Sequence, residues 1–507
     1  MSAVGSILTN SGALTALNSI AQMSQTTDTL QNELASGLSI NSPSDNPAGY
    51  ITAQGFTSQI NGLTQATSNA NQGVSLLQTA QSAIGQQISV VQQLNSIAVQ
   101  AANGTQTPAE AQSLQNLVGQ LTGQVSTIAT QTQFNNISLL DGSFSGVQFQ
   151  VGANEGQTMN LSIGSTTAAS IGMFASTAAT GTGAIYKGTG SGSANVVGQT
   201  AGTGGAAPTS WTGGFTAGNI QVTGANGGGS AIAVKATESA ASLAAAVNKA
   251  SGATGVEAQA TTTVSLKTAA GTDGQISFTL QSDNGSGGAS SNIGTVVKVN
   301  ATNATQAASQ INGDSSVSGI TASVDKNGNL VLTQAAGQNI QLGVSDGTLT
   351  PAGQTAVTGT PGVSPAPNTV GYALIQGQVQ FQSASAFSIG NGADIGMSSS
   401  STLQSLSSVN VSTTSGADQA INIVKYALAG LNNQDGQLGA MQQRMSATIN
   451  NLTTTSTNAT TALGVVQDAN IPAVANQLTQ SQIQAQSGVA ALKSSTQLQQ
   501  TYLSLLP

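Results

Sequence analysis

Apolar positions in residues 60–102 recur in alternating strides of three and four: Ile60, Leu63, Thr67, Ala70, Val74, Leu77, Gln81, Ile84, Ile88, Val91, Asn95, Ala98 and Ala102. Ten of the thirteen are apolar and no proline interrupts the run, which predicts one helix of roughly 65 Å at about 1.5 Å per residue. A second stripe lies near the other end: Val424, Leu428, Leu431, Asp435, Leu438, Gln442, Met445, Ile449, Leu452, Ser456, Ala459, Leu463 and Val466. Each seam needs a partner surface, and the simplest partner for each is the other. The chain is expected to run out along one helix and return along its mate.

The flanking segments carry thinner patterns. Ala13, Ala16, Ile20, Met23, Thr27, Leu30 and Leu34 predict a first helix, with Gly37 as its C-terminal stop. Such a small-residue seam is marginal alone, because helix nucleation is costly and little apolar area offsets it. Pro43 and Pro47, set among Asn and Ser, predict a compact loop, with the long helix beginning near Thr57. Thr107 and Pro108 suit the N-cap and first position of a third helix, whose Leu114, Val118, Leu121, Val125 and Ile128 pack back on the second. The period then changes to two: Val147, Phe149, Val151, a turn, then Met159, Leu161 and Ile163 read as a β-hairpin. Strands return at Leu374, Ile375, Val379 and Phe381, and a last helix carries Val474, Leu478 and Leu492.

Residues 166–370 lose helix period and fill with Gly, Thr, Ser and Ala, yet they contain a repeat. Asn248 recurs as Asn312, Gly255 as Gly319, Leu266 as Leu330 and Phe278 as Leu342, always 64 residues apart (312 − 248 = 64). Each copy reads as a short helix, a strand and then a hairpin, with Asp325-Lys326-Asn327-Gly328 as the turn of the second.

Composition removes most chemistry. Only 5% of residues are charged, against about 25% in an ordinary soluble protein, and formal net charge is −8. Lys187 is the first cation, so no basic patch for nucleic acid or anionic membrane exists before it. With neither His nor Cys, triad and thiolate catalysis and the usual zinc ligands are excluded, and no cofactor or metal is expected. The glycine-rich 223–230 stretch lacks the Lys-Ser/Thr of a phosphate cradle and reads as a surface loop. The N-terminus has no basic region followed by an apolar run, so export, if it occurs, is expected without a cleaved signal peptide. Arg444, the single arginine, reads either as a solvated surface residue or as a fork for an inter-helix or inter-subunit hydrogen bond that fixes register.

Several pieces are more specific. Leu-Ala-Ser-Gly-Leu-Ser-Ile-Asn-Ser-Pro-Ser-Asp-Asn-Pro-Ala-Gly at 34–49 resembles the N-terminal signature of bacterial flagellins. So do Ala-Val-Gln-Ala-Ala-Asn-Gly-Thr at 98–105, Thr-Gln-Phe-Asn at 132–135 and Phe-Gln-Val-Gly-Ala-Asn at 149–154. Leu-Gly-Ala-Met-Gln-Gln-Arg at 438–444, Thr-Ile-Asn-Asn-Leu at 448–452 and Leu-Ser-Leu-Leu at 503–506 match the C-terminal signature. The resemblance implies an α+β multidomain chain: long coiled-coil-like helices from both termini, β-hairpins, and a β-rich central insert with paired α+β repeats. It implies residues 1–45 and 472–507 as inner-core helices of a filament, 46–165 and 371–471 as halves of a helical domain, and 166–370 as a variable outer region.

A flagellin would be a non-enzymatic, secreted homopolymer in the extracellular flagellar filament. Its other implied partners are an export chaperone, a filament cap and hook-associated junction proteins. Interface candidates are Leu30, Leu34, Asp45, Arg444, Leu478, Leu492 and Leu506. Alternatives are a hook–filament junction protein, which shares the terminal helices, and a secreted adhesin on a helical stalk. In recognised members an Arg, a Leu and a Glu contact the flagellin-sensing Toll-like receptor. The matching positions here are Gln93, Ile97 and Leu117, all off the helical stripes and expected to face outward, with Ile97 keeping the apolar contact.

Overall fold

The computed structural model describes residues 11–103, 106–178, 195–203, 215–225, 227–235, 238–271, 273–283, 296–351, 357–359 and 369–504. Among them the helices are α1 (Ser11–Ser36), α2 (Pro47–Ala101), α3 (Pro108–Gln131), α4 (Ala240–Lys249), α5 (Ser251–Thr254), α6 (Ala304–Gly313), α7 (Ser315–Ser318), α8 (Thr414–Gln467) and α9 (Ile471–Ser504). The chain divides into two compact units. One comprises residues 1–79, 145–162 and 437–507; the other comprises 80–144 and 163–436.

The long helices bury residues seven apart. On α2 the line Leu63, Ala70, Leu77, Ile84, Val91 and Ala98 is almost wholly enclosed, and so is Ala66, Gly73, Ala80, Gln87, Leu94 and Ala101. On α8 the enclosed line is Val424, Leu431, Leu438, Met445, Leu452 and Ala459. The second α2 line escaped the sequence pattern because its members are mostly small. α2 also begins ten residues before the expected Thr57. Pro47 has no N–H to lose at a helix start, and the Asn46 side chain accepts from the Gly49 N–H at 3.0 Å. The two prolines close a loop confined to residues 37–46.

In the first unit the two seams do meet. Leu63 and Ala66 of α2 pack on Leu452 of α8, with Ala153 against them. A Cβ at Gly73 would lie 2.7 Å from Met445 Cε, and one at Gly62 2.9 Å from Ala153 Cβ. The helices therefore run antiparallel, and small residues let the hairpin Val147–Gln150/Thr158–Leu161 lie close across them. Asn69 Nδ2 donates to the Gln150 carbonyl at 3.1 Å.

In the second unit α3 starts on the expected Thr107, which makes a reciprocal capping box with Glu110. Thr107 holds the Glu110 carboxyl below the usual range. Gln87, fully buried, donates to the carbonyls of Val125 (3.0 Å) and Thr166 (3.2 Å), tying α2 to α3 and to the following chain. The β region is antiparallel throughout, with fifteen strands in one hydrogen-bonded network among the described residues.

The 64-residue repeat is visible atom by atom. Asn248 Oδ1 accepts from the Ala258 N–H (2.7 Å) and its Nδ2 donates to the Ala258 carbonyl (2.9 Å). Asn312 does the same to Ala322, at 2.7 Å for each bond. Gly255 and Gly319 end α5 and α7 with φ of +70° and +68°, a region that favours glycine. The copies differ where a hairpin was expected in both. The second folds back through its Asp325–Gly328 turn into strands Ile320–Val324 and Leu330–Gln334. The first holds Thr-Thr-Thr-Val at the matching 261–264, has no turn residue, and runs straight as Glu257–Ala269.

The amide clamps generate a prediction. Asn248→Ala and Asn312→Ala each strand one backbone N–H and one C=O, so each is expected to cost about 1–3 kcal/mol. Calorimetry of the monomer checks this as a lowered melting temperature of the β region. Melting unchanged in both variants contradicts the assignment.

Candidate functional site

The terminal helices α1 and α9 pack on each other within the first unit. The α1 stripe Ala13, Ala16, Ile20, Met23 and Thr27 is half-buried, and Leu30 is buried. On α9, Val474 and Ser481 are buried while Leu478, Ala485, Gly488, Leu492 and Ser495 are half-buried. The seam is narrow: a Cβ on Gly488 would meet Ile20 Cγ1 at 3.1 Å. The expected weakness of each end helix is thus met partly by the other.

What the pair leaves uncovered is apolar. Leu14 (56%), Leu17 (54%), Leu34 (38%), Ile471 (41%), Ile483 (59%), Val489 (53%) and Leu498 (56%) keep large solvent-exposed fractions. Leu14 and Leu17 stand one turn apart off the seam, a signal in the sequence masked by tracing a single stripe. Of the interface candidates, Leu30 is enclosed in the pair, Leu478 and Leu492 sit on the seam, and Leu34 faces out. Leu506 lies outside the described residues. Arg444 is exposed on α8, off the buried line through Met445.

The pair is anchored at one joint. Gly37, at φ +75°, ends α1 and turns the chain beside the end of α8. There the Ser39 N–H donates to the Gln467 carbonyl (2.7 Å) and the Ala469 N–H to the Gly37 carbonyl (2.9 Å). Leu38 and Asp468 form an antiparallel bridge, and Gln467 Nε2 reaches the Ile40 carbonyl at 3.2 Å. Asp45 closes the loop: its Oδ2 accepts from the N–H groups of Ser42 (2.7 Å) and Asn41 (2.9 Å), which hold the carboxyl below its usual range. The conformational job of Asp45 is therefore local, though it lies on the segment that carries α1.

The three positions expected from the resemblance to meet a receptor divide. Gln93 is exposed and Leu117 is 41% exposed. Ile97 is only 8% exposed, which corrects the expectation that all three face outward. Leu76, Ala83, Val90 and Ile97 form a third buried line, because this part of α2 is enclosed on more than two sides. Only a helix with a single partner leaves every off-stripe position free.

A chain whose first and last helices pair along a thin seam, with apolar side chains left exposed along both, has the build of a polymer subunit. Residues 7–145 match the model of the bacterial flagellin N-terminal helical region, and 421–506 that of the C-terminal helical region. The chain is 37% identical to B-type flagellin of Pseudomonas aeruginosa over 98% of its own length and 99% of that protein's. It is also 38% identical to flagellin 1 of Proteus mirabilis over 31% of this chain and 43% of the other. The structure of FliC from Burkholderia pseudomallei aligns with 21% identity over 74% of this chain and 99% of that one, at a TM-score of 0.29. The chain belongs to the bacterial flagellin family. It is a structural subunit that polymerises into the flagellar filament, which serves motility.

The joint yields a pH prediction. Because native hydrogen bonds lower the Asp45 pKa, its contribution is present above the unfolded value, about 3.9, and is lost as pH falls through the lower folded value. Asp45→Ala is expected to raise hydrogen exchange at the Asn41 and Ser42 amides at neutral pH while leaving α8 protected. Unaltered exchange at both amides contradicts this.

Proposed function

We propose that residues 1–45 and 472–507 form the inner core of the filament and are held there by the apolar side chains that the α1–α9 pair leaves exposed. The observation carrying this is Leu14 and Leu17, each more than half exposed on a helix whose seam is already occupied by α9. An exposed apolar face is stabilised by a like face on a neighbouring copy, and repeated contacts that do not close build a helix. Residues 46–165 and 371–471 serve as the helical domain behind this core and 166–370 as the outer region, although strands Thr369–Gln376 and Gln378–Ser383 pair within the β network. In this reading Arg444, exposed on α8, supplies a hydrogen-bonding fork to a neighbouring subunit.

The protein acts without catalysis and is secreted by the flagellar type III export route. Its partners are an export chaperone, the filament cap and hook-associated junction proteins. Ion pairs contribute little to assembly, which is therefore expected to depend little on salt, because only 5% of residues are charged and no cation precedes Lys187. The test is Leu17→Asp in the full chain. The monomer should melt as the unsubstituted chain does, because Leu17 is exposed in it, while seeded assembly should fall below detection. Filaments of ordinary length would refute the proposal. Removal of either 1–40 or 472–507 is expected to leave the α2–α8 pair helical by circular dichroism and to abolish polymerisation.

The chain also escapes the flagellin-sensing Toll-like receptor. Gln93 supplies no charged fork, Leu117 leaves a facing cation unpaired, and Ile97 is withdrawn into the core. Losing a charged interfacial pair costs about 2–5 kcal/mol. Receptor-reporter signalling by monomer is expected to be weaker by at least about 30-fold than that of a recognised flagellin. Equal potency would sink the idea.

A further inference from the structure

The two α+β copies resolve their missing and extra strands in a way that neither shows alone. In the second copy, Ile320–Val324 is closed on one edge by the Asn312 clamp and paired on the other with its own hairpin strand, Leu330–Gln334. Leu332 lies opposite Ala322 and Leu330 opposite Val324. In the first copy the equivalent stretch is closed by Asn248 in the same way. Its own second strand, containing Leu266, does not fold back. It continues into the second copy, where Leu266 pairs with its repeat equivalent Leu330, and Val264 and Leu266 join the second core.

The vacated place is filled by Gln378–Ser383. Phe381 lies opposite Ala258 and Val379 opposite Ala260, 64 residues before the partners of Leu332 and Leu330. Both Val379 and Phe381 are in the first core. The match extends to the strand end. Ser383 Oγ donates to the Gly255 carbonyl at 2.8 Å, and Gln334, at the register of Ser383, lies beside Gly319, the repeat of Gly255. We infer that the first copy carries a strand-acceptor slot on the edge of residues 256–260. Its ligand is an extended segment with large apolar side chains two residues apart, and Gln378–Ser383 is the resident occupant.

Two features make the slot distinct from ordinary sheet pairing. It reads register, because a shift of one residue would turn Val379 and Phe381 from the core to the opposite face. It is also filled late. Phe381 follows Ala258 by 123 residues (381 − 258), whereas Leu332 follows Ala322 by 10 (332 − 322), so the second copy closes its sheet over a far shorter loop.

The test transplants the second copy's strand into the slot of the full-length chain. One variant places Leu-Val-Leu-Thr-Gln at 379–383 (V379L, Q380V, F381L, Q382T, S383Q), in the register of 330–334. A control places the same five residues one position earlier, at 378–382. Amide hydrogen exchange at 257–260 and 378–383 reports the slot, and exchange at 304–313 reports whether the second copy stays folded. The matched variant is expected to keep slot protection within about tenfold of the unsubstituted chain. The shifted control is expected to lose at least about 100-fold, with 304–313 retained. Refolding of the unsubstituted chain, followed by pulsed exchange, is expected to protect 320–334 before 257–260. Equal protection in the two transplants, equal loss in both, or simultaneous protection on refolding overturns the inference.

Discussion

The seven-residue spacing of burial along α2 is the constraint on which the other parts depend. Two enclosed lines, through Leu77 and through Ala80, mean that the helix is covered on adjacent sides, and the smaller residues admit close neighbours. Gly62 and Gly73 are where the hairpin and α8 approach most nearly, and Gln87 is where the helix interior accommodates a polar group. A bulky residue at Gly73 would have to displace the Met445 side chain and press on Phe149 of the hairpin. Helix propensity contributes little by comparison, because α2 and α8 are rich in Thr, Ser, Asn and Gly. Tertiary packing of a regular stripe stabilises them.

Charge is nearly absent from this scheme, and hydroxyls and amides take over. Along α8, Thr448, Thr453, Thr454, Thr457, Thr460 and Thr461 return their hydroxyls to carbonyls four residues earlier. Among the described residues, the one ion-paired cluster is a docking point. Glu257 accepts from Lys425 at 3.0 Å and from the Tyr426 hydroxyl at 2.8 Å, while Asn422 reaches Gln259 at 3.2 Å. Lys425 and Tyr426 hold the Glu257 carboxyl below its usual range, and burial with this bond pushes the Tyr426 hydroxyl up. The first turns of α8 are thereby fastened to the strand that both α+β copies share.

Legibility in the sequence followed the strength of the repeating signal. The two long stripes, the capping residues Thr107 and Pro108, the hairpin at 147–161 and the 64-residue repeat all rest on local chemistry, and all stand in the structure. The early start of α2 was hidden because prolines break helices everywhere except at their first turn. Ile97 was misplaced because a stripe marks one partner surface and says nothing of a second. The strand exchange was invisible for a different reason: Thr-Thr-Thr-Val at 261–264 is as compatible with a strand as with a poor turn. Only the pairing of Gln378–Ser383 decides it. At the terminal helices the seam was readable, whereas the exposed Leu14 and Leu17 look like ordinary helix residues until the seam is known to be occupied elsewhere.

The amide clamps have a consequence for crowding. In the proposed filament the outer region, residues 166–370, is held at high local concentration, the condition in which open strands zip together into aggregates. Asn248 and Asn312 each occupy the one N–H and the one C=O that an incoming strand would seek at Ala258 and Ala322. Gln310 does the same at Asn300 on the opposite edge, accepting from its N–H at 3.0 Å and donating to its carbonyl at 2.8 Å. A surface with only 5% charged residues has little electrostatic repulsion with which to keep neighbours apart. Here the separation is written into the hydrogen bonding of each subunit, and it persists at any ionic strength.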